Sequence, residues 1–212
     1  MCDIKEGVWR NIKVGNEYRD CKVECWKSAD CKDCKHRYKL RISLIGTTST
    51  KEILVIMLNP STADEKTDNW DKTCEFLINI CHSNGYDLIT ICNLFSFITK
   101  EVEELDKKIQ EENSNSIDEA LRESIKKANE ILCAWGGPYK KIKNKQKQIL
   151  NDMIKEVFGI LKSRNLNVKK VLKLRIKKKS ENKFPKYPPH PLCKKYNTEF
   201  EPYFIAEINI EE

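Results

Sequence analysis

Long apolar runs are missing from this chain. No segment approaches the roughly 18 to 20 uninterrupted apolar residues of a membrane span, and the opening Met-Cys-Asp-Ile-Lys-Glu lacks the apolar stretch of a secretory leader. Both absences point to a cytoplasmic protein with no membrane partner. Glycine and proline are scarce, seven of each in 212 residues, and no Pro/Gly/Ser-rich linker divides the chain. That argues against a string of modules and for one domain with a well-buried core. Internal repeats are also lacking, and the expected state is a monomer. Acids are almost absent from one stretch near the end, where Arg175, Lys177, Lys178, Lys179, Lys183, Lys186, Lys194 and Lys195 surround the single acid Glu181. The net charge of +7 is therefore local. Two readings stay open for it: a polyanion such as DNA as partner, or a solvated lysine-rich surface.

What is present reads as strands and helices in alternation. Tyr38 to Ile45 alternates apolar and basic residues, and a turn over Gly46 to Lys51 leads into the apolar run Ile53 to Leu58, so a β-hairpin is expected there. Residues 1–50 then form a cysteine-rich segment and hairpin, and residues 51–212 an α/β core with a basic C-terminal loop. Trp70, Cys74, Leu77, Ile78 and Cys81 recur at helical spacing until Asn84-Gly85 ends the pattern. Leu88 to Cys92 and Ile131 to Trp135 read as buried strands, with a helix expected within Asn113 to Ala128. Leu150, Met153, Ile154, Val157, Phe158 and Leu161 mark another helix, followed by a strand over Val168 to Leu174. The expected fold is α/β: a three-layer sandwich with a mostly parallel central sheet.

The run Met57-Leu58-Asn59-Pro60-Ser61-Thr62-Ala63-Asp64 follows a buried strand and releases polar groups at the carboxyl edge of a sheet, where open α/β folds bind ligands. Asn93-Leu94-Phe95 and Trp135-Gly136-Gly137 end two further strands and should converge on the same edge. Pro188-Pro189-His190-Pro191-Leu192 adds an imidazole held between prolines. Ser61, Thr62, Gly136, Gly137, Lys186 and Lys194 are candidate phosphate contacts, and Phe95, Trp70 and Trp135 candidate walls for a stacked base, although Trp135 reads better as core. Asp68 and Asp71 begin the first helix or reach the site. His82, near that helix's C-terminus, suits a surface position favoured by the helix dipole.

Taken in order, these motifs resemble the bacterial and phage domain-of-unknown-function family numbered 1643, through its M-L-N-P-S-T-A-D, N-L-F, C-A-W-G and H-P-L segments. More distantly, the chain is similar to the uracil-DNA glycosylase superfamily. That resemblance implies a glycosylase-like fold and hydrolysis of the N-glycosidic bond of a base in DNA, with no cofactor required. It assigns water positioning or activation to Asn59 and Asp64, base reading to Asn93, and stabilisation of the leaving base to His190, with Phe95 and Trp70 remaining the candidate walls beside Asn93. Asn59 stands where the best uracil removers have Asp before Pro, and Leu192 where Ser commonly follows His-Pro. A modified or damaged base is therefore the expected substrate, and the family's phage association suggests defence against modified phage DNA. Two alternatives stand beside it: a non-catalytic nucleic-acid or nucleotide-binding module, and a glycosidase or transferase acting on free nucleosides.

Of ten cysteines, Cys74, Cys81, Cys92 and Cys133 sit in apolar contexts and read as reduced thiols behaving as small hydrophobes. Cys21, Cys25, Cys31 and Cys34 are more crowded. They are either ligands of a structural zinc, Cys31 to Cys34 having the usual knuckle spacing, or incidental thiols of a turn.

Overall fold

The computed structural model describes residues 2–28, 36–66, 69–99, 101–112, 116–136, 144–163, 170–176, 188, 190–192 and 196–203. Eight strands form one sheet: β1 (Cys2–Val14), β2 (Glu17–Ser28), β3 (Arg37–Leu44), β4 (Glu52–Met57), β5 (Leu88–Asn93), β6 (Glu130–Cys133), β7 (Lys170–Ile176) and β8 (Tyr196–Pro202). Four helices join them: α1 (Lys72–Ser83), α2 (Val102–Glu112), α3 (Glu119–Lys127) and α4 (Asn144–Ser163). The strand order is β1-β2-β3-β5-β4-β6-β7-β8.

The sheet is mixed, which corrects the expected parallel majority. Pairs β5-β4, β4-β6 and β6-β7 are parallel, whereas β1-β2, β2-β3, β3-β5 and β7-β8 are antiparallel. The expected hairpin between β3 and β4 does not form either, because β5 lies between them and pairs with both. β5 is buried along nearly its whole length, as suits a strand with neighbours on both sides. The helix expected within Asn113 to Ala128 is α3, and α2 precedes it.

Helices pack on both faces. Ile53, Val55, Met57, Ile89 and Ile91 join Cys74, Leu77, Ile78 and Cys81 of α1 in one core. The alternate residues Leu54, Ile56, Leu58 and Cys92 join Leu105 of α2, Leu121 of α3 and Ile154 of α4 in the other. Coverage of both sides explains why β4 and β5 read as continuous apolar runs rather than alternating ones. Helix α1 starts at Asp71, whose carboxylate accepts from the Cys74 amide at 2.8 Å, and stops at Asn84-Gly85, with Gly85 at φ 84°. Both ends use the side chains that satisfy orphan helix groups.

The cysteine-rich start is the long hairpin β1-β2. Register shifts between Trp9 and Ile12, where Asn11 has φ 57°. Such a bulge bends a strand, and β1 reaches α1: the Gly15 amide donates to Asn79 Oδ1, whose Nδ2 donates to the Lys13 carbonyl.

Candidate functional site at the carboxyl edge of the sheet

β4 and β5 end side by side, with Met57 in register with Asn93. Both face α1, because Ile53, Val55 and Met57 on one strand and Ile89 and Ile91 on the other point to that core. Beyond them the chain leaves the sheet, and a cavity of about 440 Å³ opens between the strand ends and the start of α1. Met57, Leu77 and Ile91 give it an apolar floor, and Asn59, Ser61, Thr62, Asn93, Thr99 and His190 bring polar groups. The size suits a small ligand.

Asn93 is the most informative of these. It is 2 % exposed, it ends an otherwise apolar column, and its Nδ2 is buried with no hydrogen-bond partner. A buried amide donor without an acceptor costs roughly 1 to 3 kcal/mol unless a ligand supplies one. Asn59 is committed differently: its Nδ2 donates to the Thr99 carbonyl at 3.0 Å and to Thr99 Oγ1 at 3.1 Å. With the Thr99 amide donating to the Pro60 carbonyl at 3.1 Å, this ties the loop after β4 to the loop after β5.

His190 enters from the late proline-rich segment. The Pro188 carbonyl accepts from the Gly136 amide at 2.8 Å, so the end of β6 anchors this segment beside the cavity. His190 Nδ1 accepts from the Leu192 amide at 3.2 Å, which leaves the proton on Nε2. Burial pushes the imidazole below its usual pKa against the opposing pull of Asp71. The ring is thus a neutral Nε2–H donor at neutral pH. Leu192 stands on the rim, 47 % exposed.

Several expected site residues lie elsewhere. Asp64 does not line the cavity. Its carboxylate lies 3.6 Å from Lys27 Nζ, which pairs at 2.6 Å with Glu65, and its backbone carbonyl accepts from the Trp9 indole at 2.7 Å. Burial by itself raises the Asp64 carboxyl, but hydrogen bonds from Asn69 and Lys66 and the charge of Lys27 hold it below its ordinary value. Gly7 of β1 lies so close to the Glu65 carbonyl that any side chain there would collide with it. Asp64 thus belongs to a clamp between the hairpin and the loop. Phe95 is buried in the core of the opposite face, stacked on Phe97, and Trp135 is fully buried beside Phe158. Trp70 leans on Trp9, with ring centroids 6.4 Å apart, rather than walling the cavity. Gly136 anchors without lining. Gly137, Lys186, Lys194, Asp68, Cys31, Cys34 and the lysines of 177–187 lie outside the described residues.

Cys21 and Cys25 are buried on the same face of β2, four residues apart on one extended strand. That spacing is about 13 Å, so these two thiols do not share one zinc ion. Burial pushes both thiols up to about 12, and Cys74, Cys81, Cys92 and Cys133 are raised as well, as inert core thiols are. Among the described residues no group of three or more His, Cys, Asp or Glu is placed to hold a metal.

Arg37, Asp71, Lys72 and Thr73 line the cavity; of these, sequence reasoning had reached only Asp71. Arg37 carried a faint signal, a cation at the head of a half-buried strand.

A mixed α/β protein with a polar cavity where adjacent parallel strands end is the class that this fold and site define. The chain matches the family described as a protein of unknown function, DUF1643, over residues 37–192, and it belongs to that family. No curated protein and no solved structure matches it. The match runs from Arg37 to Leu192, which are also the first and last residues lining the cavity, and it leaves out β1 and β2. No helix among the described residues is long and apolar enough to cross a membrane.

Proposed function

We propose that the cavity binds a nucleobase and that the protein hydrolyses the N-glycosidic bond of a modified or damaged base in DNA. The observation that carries this reading is the buried, unpartnered Nδ2 of Asn93 in the same cavity as the Nε2–H of His190. Two fixed donors above an apolar floor suit the acceptor edge of a heterocycle. The order of loops, with Asn59-Pro60 first, Asn93 second and His190-Pro191 last, is that of the glycosylase arrangement, which we adopt as the finer description of the fold.

Cleavage breaks the bond from C1′ to the base nitrogen and forms one from C1′ to a water oxygen. The base leaves with the electron pair, so negative charge grows on it while the sugar becomes cationic. Donors fixed on the base before the reaction stabilise that charge without reorganising, a role for His190 and Asn93. The carboxylate that faces the sugar is Asp71 in place of Asp64; it orients water and accepts its proton. Reaching a base in a strand requires extruding it, and the exposed Leu192 on the rim is an apolar group that fills the space the base vacates.

Incubating the protein with single- and double-stranded DNAs bearing a broad set of modified bases, and measuring free base by mass spectrometry, tests this. Release from at least one substrate, lost in His190→Ala, is expected. A second reading, binding without cleavage, is favoured by one observation: an Asp71 oxygen is already engaged in capping α1. Binding with no release across the set selects it.

A further inference from the structure

Base recognition leaves Arg37 unused. It is 3 % exposed, its Nη1 donates to the carbonyls of Ser61 (3.4 Å) and Ala63, and its Nε is buried without a partner. Among the described residues no carboxylate pairs with it. A guanidinium buried against carbonyl dipoles alone keeps its full charge, and such charges are ordinarily paired. The missing partner is an anion.

The same cavity receives the start of α1, a helix of 12 residues, through Asp71, Lys72, Thr73 and Cys74. Asp71 uses its side chain on the Cys74 amide and its carbonyl on the Glu75 amide. The amides of Lys72 and Thr73 have no partner inside the helix, and they sit at its positive end. Two cations, Arg37 and Lys72, face one carboxylate, Asp71, around the cavity. Planar guanidinium, free first-turn amides and the hydroxyls of Ser61 and Thr73 together make the donor set that phosphate oxygens take.

Resting on the base-binding reading above, we infer that the ligand is a nucleoside carrying a phosphate ester, with the phosphate held by Arg37 and the Lys72 and Thr73 amides and the base held at Asn93 and His190. The phosphate belongs either to a free nucleotide or to the phosphodiester of a strand; a bare nucleoside is not the ligand. Arg37 is a buried cation from the other end of the chain, additional to the lysines expected from sequence, which lie outside the described residues.

The test uses the full chain and inorganic phosphate, followed by ³¹P line broadening. Saturable binding is expected for the wild type, weakened about tenfold or more by Arg37→Gln. Lys72→Ala, at an exposed position that keeps the fold, should weaken it about threefold. Asn93→Ala should leave it unchanged, so that loss of base binding and loss of phosphate binding are told apart. Competition by deoxynucleosides, their 5′-monophosphates and short single strands then locates the source: monophosphates competing best means a free nucleotide, strands competing best a phosphodiester. No saturable phosphate binding by the wild type overturns the inference, as does binding unaltered by both substitutions, or deoxynucleosides competing as well as their monophosphates. If Arg37→Gln fails to fold by circular dichroism, Lys72→Ala decides. An intact phosphate site with base affinity indifferent to Asn93→Ala rejects the base reading instead.

Discussion

Two cavities of similar size open at opposite edges of the sheet, and they differ in what their polar groups lack. The one at the amino ends of β4 and β6 is about 510 Å³ and the one at the carboxyl ends about 440 Å³. At the amino edge each charge has an opposite charge or a ring beside it, although Arg41 Nε is buried without a hydrogen bond. Lys39 Nζ sits 4.1 Å over the Trp26 ring, Arg41 faces Glu24 at 3.8 Å and Glu52 at 3.9 Å, Thr90 donates to Glu52 at 2.7 Å, and Lys51 pairs with Glu130 at 3.5 Å. At the carboxyl edge Asn93 Nδ2 and Arg37 Nε are buried without a hydrogen bond, and Arg37, unlike Arg41, has no carboxylate beside it among the described residues. Folded proteins rarely leave such groups unanswered, and the proposed ligand would answer those of the smaller cavity.

The comparison breaks or sharpens under substitution. Asn93→Ala and His190→Ala should each lower base release by about 10²- to 10³-fold, in the range seen when one preorganised donor is removed. Thr90→Val and Lys51→Ala at the other edge should stay within about twofold. Comparable losses at both edges in steady-state assays would dissolve the distinction.

The clamp behind the carboxyl edge should show next, in stability. Lys27→Ala leaves Glu65 and Asp64 largely buried without their cation, a change that costs about 3 kcal/mol in such settings and should appear as a lower urea midpoint. Conversely Lys27 is raised above its ordinary value while Asp64 and Glu65 are held below theirs, despite burial acting the opposite way on each. The carboxylates' contribution is therefore complete above their ordinary values of 3.8 and 4.5 and is lost as pH falls through their folded values. That of Lys27 is complete below 10.5 and lost as pH rises through its folded value. The protection of the Asp64 amide from hydrogen exchange, taken relative to the intrinsic rate at each pH, should fall on acidification.

His190 gives a third separation. Since burial lowers it below 6.5, Nδ1 remains free through pH 7 to accept from the Leu192 amide; its protonation breaks that bond and frees the ring, so base release should decline only on the acid side of that value. The decline should be missing from the residual activity of His190→Ala. The smallest effect is at the rim, where Leu192→Ala should slow release from duplex by about tenfold or less and spare single strands, for which no stacked base need be replaced.

Legibility followed the strand ends. Asn59, Ser61, Thr62, Asn93 and His190 meet at one cavity, as the polar punctuation after apolar strands implied, because parallel neighbours end at the same edge. Residues one or two steps farther on were not legible, since a turn resets which face a side chain takes. Phe95 crosses to the far core and Asp64 turns back to Lys27. Arg37 was hidden because its burial depends on β5 entering between β3 and β4, a long-range pairing with no local signature. The placement of Cys21 and Cys25 in the N-terminal hairpin is hidden from the sequence for a related reason. Its cysteines look like ligands in order along the chain, but a strand spaces Cys21 and Cys25 too widely and turns both into the core.

The central claim, that the Asn93 amide is an anchor waiting for a ligand, is open to one direct observation. In ¹⁵N-labelled protein its side-chain amide pair is identified as the signal missing from Asn93→Asp. Titration with single-stranded DNA bearing the base released in the mass-spectrometric assay, or with the nucleotide that competes best for phosphate, should shift that pair downfield in proportion to occupancy. Saturable binding that leaves the Asn93 pair in place while signals at the Thr90 and Lys51 edge move would contradict the account.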